Sequence, residues 1–204
     1  MAIYLVRHGE TAGNAALVVQ KPDIPLSYRG IDQARRLARR LAGEGIGEIL
    51  SSDLARAVMT AEAVRETTGA PLRFDSLLQE RNFGDVRGTP YAELDFDLFA
   101  PDYEPPGGES WERFEARMDE AWVLIQRAAE ACEGNLAVIT HGLVCHSVVA
   151  RRTRLPEGGD QDPRGLSWRN TSVTILDGSD PWEVRLLNCS AHLDEAEPRE
   201  GGVV

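Results

Sequence analysis

Apolar residues fall along the chain in two rhythms. Ile3-Tyr4-Leu5-Val6 and Leu136-Ala137-Val138-Ile139 are unbroken runs, and 46–50 and 71–74 are shorter apolar stretches. All four read as strands buried within a sheet. Elsewhere apolar positions recur at steps of three and four, the spacing of one helix face. Ala34, Leu37, Ala38 and Leu41 follow a Ser27 N-cap. Leu54, Ala57 or Val58, Ala61 and Val64 make a second stripe, with Ser51-Ser52-Asp53 offering caps and an end near Thr68. Ser110 caps the longest stripe, Trp111, Phe114, Met118, Ala121 or Trp122, Ile125, Ala128 or Ala129, and Cys132, which Gly134 terminates. Residues 12–19 and 143–152 predict two shorter helices. Near the end, Val173, Ile175, Val184 and Leu186 alternate around Asp177-Gly178, which predicts a hairpin of strands over 170–177 and 182–187. Strands alternating with helices predict an α/β fold, a three-layer α/β/α sandwich around a mostly parallel central sheet.

Three stretches break both rhythms. Pro90, Pro101, Pro105, Pro106, Gly107 and Gly108 punctuate 85–109, which predicts a lid or specificity wall with one short helix over 91–99. Loops of this length in a compact domain usually carry function. Residues 156–165 predict a polar loop, and from 191 the chain turns acidic and reads as a mobile tail. The organisation expected is a single domain over 1–190, with 85–109 as its lid and 191–204 as its tail.

Charge narrows the partners. The 204 residues carry 22 Lys+Arg against 33 Asp+Glu, a formal net charge of −11. Broad binding to nucleic acid or to an anionic membrane is therefore not expected. An anionic substrate must be captured by a local cationic pocket. Arg35, Arg36, Arg39 and Arg40 crowd one helix and read as a solvated outer face. Cys132, Cys145 and Cys189 form no CxxC pair and no zinc-type spacing. They predict reduced thiols in a cytoplasmic protein. No signal peptide and no membrane-spanning run is read. The hairpin after Gly165 offers a strand edge through which two copies could pair as a homodimer.

Polar residues at strand ends supply the candidate chemistry. The first strand ends in Arg7-His8-Gly9, and the apolar run at 136–139 ends in Thr140-His141-Gly142. The carboxyl ends of parallel strands share one sheet edge, where α/β proteins bind ligands. Arg56 falls in the first turn of a helix starting at the same edge. Taken alone it reads as an exposed arginine, but a cation there makes sense if it and the helix N-terminus serve one anion. Two histidines, two guanidiniums and backbone N–H groups have the composition of a phosphate pocket. The chain has no G-x-x-x-x-G-K-[ST] and no G-x-G-x-x-G motif. His141 and His146 are five apart, on different faces of a helix, with no carboxylate at ligand spacing. Neither a metal nor another cofactor is implied.

Taken in order, these pieces resemble the histidine phosphatase superfamily, with its phosphoglycerate mutase-like fold. Leu5-Val6-Arg7-His8-Gly9-Glu10-Thr11 is similar to its Arg-His-Gly signature. Pro25-Leu26-Ser27 with Gly30, Gln33 and Ala34, and then Ser51-Ser52-Asp53-Leu54-Ala55-Arg56-Ala57, continue the series. Leu78-Gln79-Glu80-Arg81-Asn82-Phe83-Gly84, Pro106-Gly107-Gly108-Glu109-Ser110 and Thr140-His141-Gly142 complete it. The resemblance implies a phosphomonoesterase acting on a small phosphorylated metabolite. His8 would be the nucleophile, forming a phosphohistidine while a backbone carbonyl holds its other nitrogen. Arg7, Arg56 and His141 would bind the phosphoryl oxygens, with Asn14 and the Gly9 and Gly142 backbones adding contacts. Glu80 would be the acid and then the base, ahead of Glu10 and Asp85. The family also holds cofactor-dependent phosphoglycerate mutases, usually longer and with basic lids. Here 85–109 carries Arg87 as its one cation among Glu93, Asp95, Asp97, Asp102 and Glu104, which favours a phosphatase. Many phosphatases of the family have an aromatic and an acidic residue after Phe-Gly, where Val86-Arg87-Gly88 stands here, and Arg87 could hold a carboxylate or second anion of the substrate. A non-catalytic phospho-ligand binding protein is the reading from another class, against which the full set of site residues argues.

Overall fold

The computed structural model describes residues 1–155, 167–178 and 180–194. Its strands are β1 (Ala2–Arg7), β2 (Ile46–Ser51), β3 (Leu72–Phe74), β4 (Asn135–Thr140), β5 (Thr153–Arg154), β6 (Val173–Asp177) and β7 (Trp182–Cys189). Its helices are α1 (Ala12–Ala15), α2 (Tyr28–Leu41), α3 (Ala55–Thr68), α4 (Trp111–Ala131) and α5 (Gly142–Arg152). The strands form one sheet of order β3-β2-β4-β1-β6-β7-β5. β1 pairs parallel with β4, Arg7 facing Thr140, and β2 pairs parallel with β3 and β4. β6 alone runs against its neighbours β1 and β7, and β5 pairs parallel with β7. The sheet is mostly parallel, as the sequence predicts.

The alternation of β1 divides the core. Ile3 and Leu5 pack with Phe114, Met118 and Ile125 of α4 and with Val144 and Val148 of α5. Tyr4 and Val6 pack on the opposite face with Leu37 and Leu41 of α2 and with Ala57, Ala61 and Val64 of α3. Each large apolar side chain buried this way contributes about 1.5–3 kcal/mol, so both faces hold the sheet. A third, smaller cluster of Val19, Phe83 and Leu98 lies beneath 85–109, joined by Val86, Leu94 and Tyr103.

Several expectations change. The helix over 12–19 stops at Ala15, because Leu17 enters the left-handed region and the next backbone groups turn to the lid. There Val19 N–H donates to Thr89 O, Gly88 N–H to Val19 O and Tyr91 N–H to Leu17 O. The helix over 91–99 shrinks to one 3-10 turn, Tyr91–Glu93. The cap of α3 is Leu54, whose side chain has no group to cap with; Ser52 Oγ lies two residues earlier, accepting from Leu54 N–H at 3.3 Å and lying 2.9 Å from His141 Nε2. Arg40 departs from the solvated-face reading: it bonds Cys189 O and His192. Residues 191–193, expected in a mobile tail, form a 3-10 turn with His192 buried. The polar loop over 156–165 lies outside the described residues. The β6–β7 hairpin sits between β1 and the two-residue β5.

Candidate active site

The carboxyl ends of β1 and β4 bring the two histidines together. His8 N–H donates to Thr140 O at 2.8 Å, one residue before His141, and the imidazole centroids are 5.1 Å apart. His8 is 2% exposed and His141 is fully covered beside it. His8 Nδ1 lies 2.7 Å from Gly9 O, so Nδ1 carries the proton and Nε2 keeps its lone pair. Arg56 Nε approaches that Nε2 at 3.3 Å. Burial, then Arg56 and Arg7, push the His8 pKa well below 6.5 against the pull of Gly9 O. Burial, Arg56, His8 and Arg7 do the same to His141. Both rings are neutral near neutral pH. His141 Nε2 is 2.9 Å from Ser52 Oγ, while its buried Nδ1 has no partner within the protein.

The guanidiniums are held by backbone carbonyls. Arg7 donates from Nη1 to Trp168 O, and its buried Nε has no protein partner. Arg56 is 3% exposed, contrary to the surface reading, and donates from Nη1 to Lys21 O at 3.1 Å. Burial lowers its pKa to about 10, and Arg7 and Arg87 add to the fall against Glu80. A cation held among like charges binds an anion strongly. Asn14 lines the cavity with its Oδ1 engaged by Asn170 Nδ2 and Thr11 N–H, both at 3.2 Å. Its amide N–H₂ is therefore the group able to donate.

Glu80 comes to the same cavity from a turn after β3. Its Oε1 accepts from Arg81 N–H at 3.0 Å and its Oε2 from Leu143 N–H at 3.3 Å, at the start of α5. Burial raises its pKa, overcoming those two bonds and the nearby Arg56 and Arg7. The two carboxylates considered beside it are used elsewhere. Glu10 binds Ser27 Oγ and Arg29, and Asp85 sits against Gly107. Gly142 opens α5 beside Arg7 Nε and Glu80 Oε2, each within 4 Å of where a Cβ would lie.

The turn carrying Glu80 is pinned from behind. Arg117 clasps Glu109 with two bonds of 2.8 and 2.9 Å and donates to Leu77 O and Gln79 O. Arg81 lies 3.9 Å from the Trp111 ring centroid and donates to Glu109 O and Tyr103 O. Gly84 has φ +51°, and a Cβ there would come within 2.0 Å of Pro106 O. The two glycine-bearing motifs flanking the lid thus interlock.

Arg7, His8, Asn14, Arg56, Glu80, Gly142 and Arg87 all line one cavity of about 1240 Å³. Its outer wall is apolar and aromatic, with Phe83, Tyr91, Phe99, Trp111 and Trp168. Sequence reasoning missed Trp168 and Asn170. Asn170 also donates to His8 O at 3.0 Å. They lie more than 150 residues from the motif they serve, Trp168 just before and Asn170 at the start of the strand read over 170–177, where nothing local ties them to β1. Among the described residues, no three His, Cys, Asp or Glu side chains cluster as a metal-ligand set, and no helix is long and apolar enough to cross a membrane.

A neutral imidazole whose Nε2 lone pair accepts from Arg56, a second buried guanidinium and a carboxyl of raised pKa are groups suited to phosphoryl chemistry in an α/β site. The profile of the histidine phosphatase superfamily (branch 1) matches residues 3–190, and the chain belongs to that family of enzymes. It is 30% identical to a protein named probable phosphoglycerate mutase GpmB in Yersinia pestis (strain Pestoides F), over 95% of each chain. Among solved structures it is similar to a mycobacterial glucosyl-3-phosphoglycerate phosphatase complexed with VO3. That pair has a TM-score of 0.78 and 27% identity, over 92% of this chain and 99% of that one. It is also similar to a phosphoglycerate mutase from Bacillus anthracis str. Sterne, with a TM-score of 0.77 and 26% identity over 95% of each chain.

Proposed function

We propose that the chain is a metal-independent phosphomonoesterase that hydrolyses a small phosphorylated metabolite through a phosphohistidine on His8. The observation that carries this reading is the fixed tautomer of His8, with Nδ1–H on Gly9 O and the Nε2 lone pair beside Arg56. His8 Nε2 attacks phosphorus and the ester oxygen leaves. Arg7, Arg56, His141 and Asn14 stabilise the charge spread over the phosphoryl oxygens. Glu80, whose protonated form burial favours, gives its proton to the leaving oxygen. It then takes a proton from water, which attacks the phosphohistidine and releases phosphate. The cationic groups and the start of α5 supply the positive field around the phosphoryl group.

The test is turnover of p-nitrophenyl phosphate and of alkyl phosphates by the wild type and His8→Ala. The variant is expected to lose at least about 10⁴-fold in kcat, as when a covalent nucleophile is removed. Retained turnover would remove the mechanism.

A mutase is the second reading, favoured by Arg87, which lines the cavity and can hold a second anion. Isomerisation of a phosphoglycerate faster than phosphate release, stimulated by a bisphosphorylated primer, would establish it. The aromatic outer wall and the acidic lid support hydrolysis of a larger or less charged ester instead.

A further inference from the structure

One buried histidine outside the cavity is joined to its floor by hydrogen bonds of fixed direction. His192 is 7% exposed, in the turn Ala191–Leu193. Arg40 Nη1 lies 3.0 Å from its Nδ1 and 3.0 Å from Cys189 O. A guanidinium only donates, so Nδ1 accepts and the ring proton sits on Nε2. Nε2 is 3.2 Å from Thr171 Oγ1, which accepts there and gives its own proton to Asn170 O at 2.8 Å. The side chain of Asn170 then donates to His8 O and to Asn14 Oδ1. Burial first, and then Arg40, hold the His192 pKa at about 4, with Arg36 adding to the fall against Asp194.

Thr171 is the joint of this series. It is fully buried and has φ +56°, a left-handed conformation that β-branched residues avoid. Its N–H is shared between Arg7 O at 3.0 Å and His8 O at 3.3 Å. Such strain persists where the surroundings over-determine it, and it clusters at functional sites. Here the surroundings are the backbone of the phosphate floor on one side and His192 on the other.

We propose that His192 is a positioning residue for phosphoryl transfer. By donating from Nε2 to Thr171, it holds the turn at Asn170 and Thr171 against Arg7 and His8, and so sets the reach of the His8 ring and the Asn14 amide. The proposal rests on the reading of His8 as the nucleophile.

The experiment compares His192→Gln with His192→Asn, alone and in an Asn170→Ala background, using p-nitrophenyl phosphate. Glutamine places an amide N–H near the position of Nε2, whereas asparagine keeps an acceptor for Arg40 and lacks the reach to Thr171. His192→Asn is expected to lose about tenfold in kcat per folded molecule with KM within about twofold, because sub-ångström displacement of a nucleophile acts on the chemical step. His192→Gln is expected to stay within about threefold of wild type. In the Asn170→Ala background the asparagine substitution should cost nothing further, since coupled residues are non-additive. An unchanged kcat in His192→Asn, equal losses in both variants, or a loss that multiplies with that of Asn170→Ala would each overturn the proposal. A wild type without His8-dependent turnover would instead overturn the functional reading.

Discussion

Arg7 and His8 at the floor of the cavity, and His141 buried beside His8, are carried by the ends of two paired central strands, and their side chains meet fixed carbonyls and hydroxyls. The wall opposite, 85–109, is held by three-residue turns, a small cluster of its own and the backbone bonds to 17–19. The floor is cationic and, in the proposed mechanism, fixes a phosphoryl group. From the wall, Arg87, Tyr91, Phe99 and Pro101 line the cavity, and in the proposed mechanism they meet whatever the phosphoryl group is attached to. In this account, damage to the floor lowers kcat for every substrate, whereas damage to the wall changes KM and the ranking of substrates.

The largest separation should come from Arg56→Met. This substitution removes a buried donor beside His8 Nε2 and is expected to lower kcat about 10³-fold for aryl and alkyl phosphates alike. Stopped-flow and steady-state rates on both classes check it. Equal rates would move Arg56 out of the floor.

Glu80→Gln should lower kcat about 10²–10³-fold on alkyl phosphates and less on p-nitrophenyl phosphate, whose leaving group needs little proton donation. The pH profile carries the same claim. His8 is lowered from 6.5, so it remains neutral into acid and the acid limb should fall below the ordinary histidine range. Glu80 is raised from 4.5, so its proton persists and the alkaline limb should lie above the ordinary carboxylate range. Glu80→Gln should erase that alkaline limb.

At the wall, Gly84→Ala forces a Cβ against Pro106 O at positive φ and is expected to cost about 2–4 kcal/mol of stability. Thermal unfolding measures the loss. The kcat of the folded fraction should be nearly preserved while KM rises. The smallest effect is expected from Arg87→Ala. A phosphoester bearing a second anion should lose about tenfold in KM, the worth of one charged hydrogen bond, with p-nitrophenyl phosphate changed less than about twofold. Equal KM changes for the two substrates would remove Arg87 from recognition.

The same division explains what the sequence made legible. The floor was readable because its residues sit where patterns end. Apolar runs stop at Arg7 and Thr140, and an apolar stripe begins one residue before Arg56's turn. Ser27 and Ser110 cap their helices as read. What escaped depends on contacts between distant segments. Asn170 and Trp168 serve β1 from the far end of the chain. Helix α1 ends early because Leu17 and Val19 pair with the lid, which no local propensity announces. Arg40 is one of four clustered arginines in sequence, and only the fold brings Cys189 O and His192 against it. The acidity of that terminal stretch concealed His192 within it.

The central claim is that His8 Nε2 carries the phosphoryl group, and trapping the intermediate tests it most directly. Enzyme quenched during turnover of ³²P-labelled substrate, then digested, should yield one acid-labile, base-stable phosphoryl group on the peptide containing His8. The label should be absent in His8→Ala. Label on another residue, or undiminished turnover with no label in His8→Ala, would contradict the account.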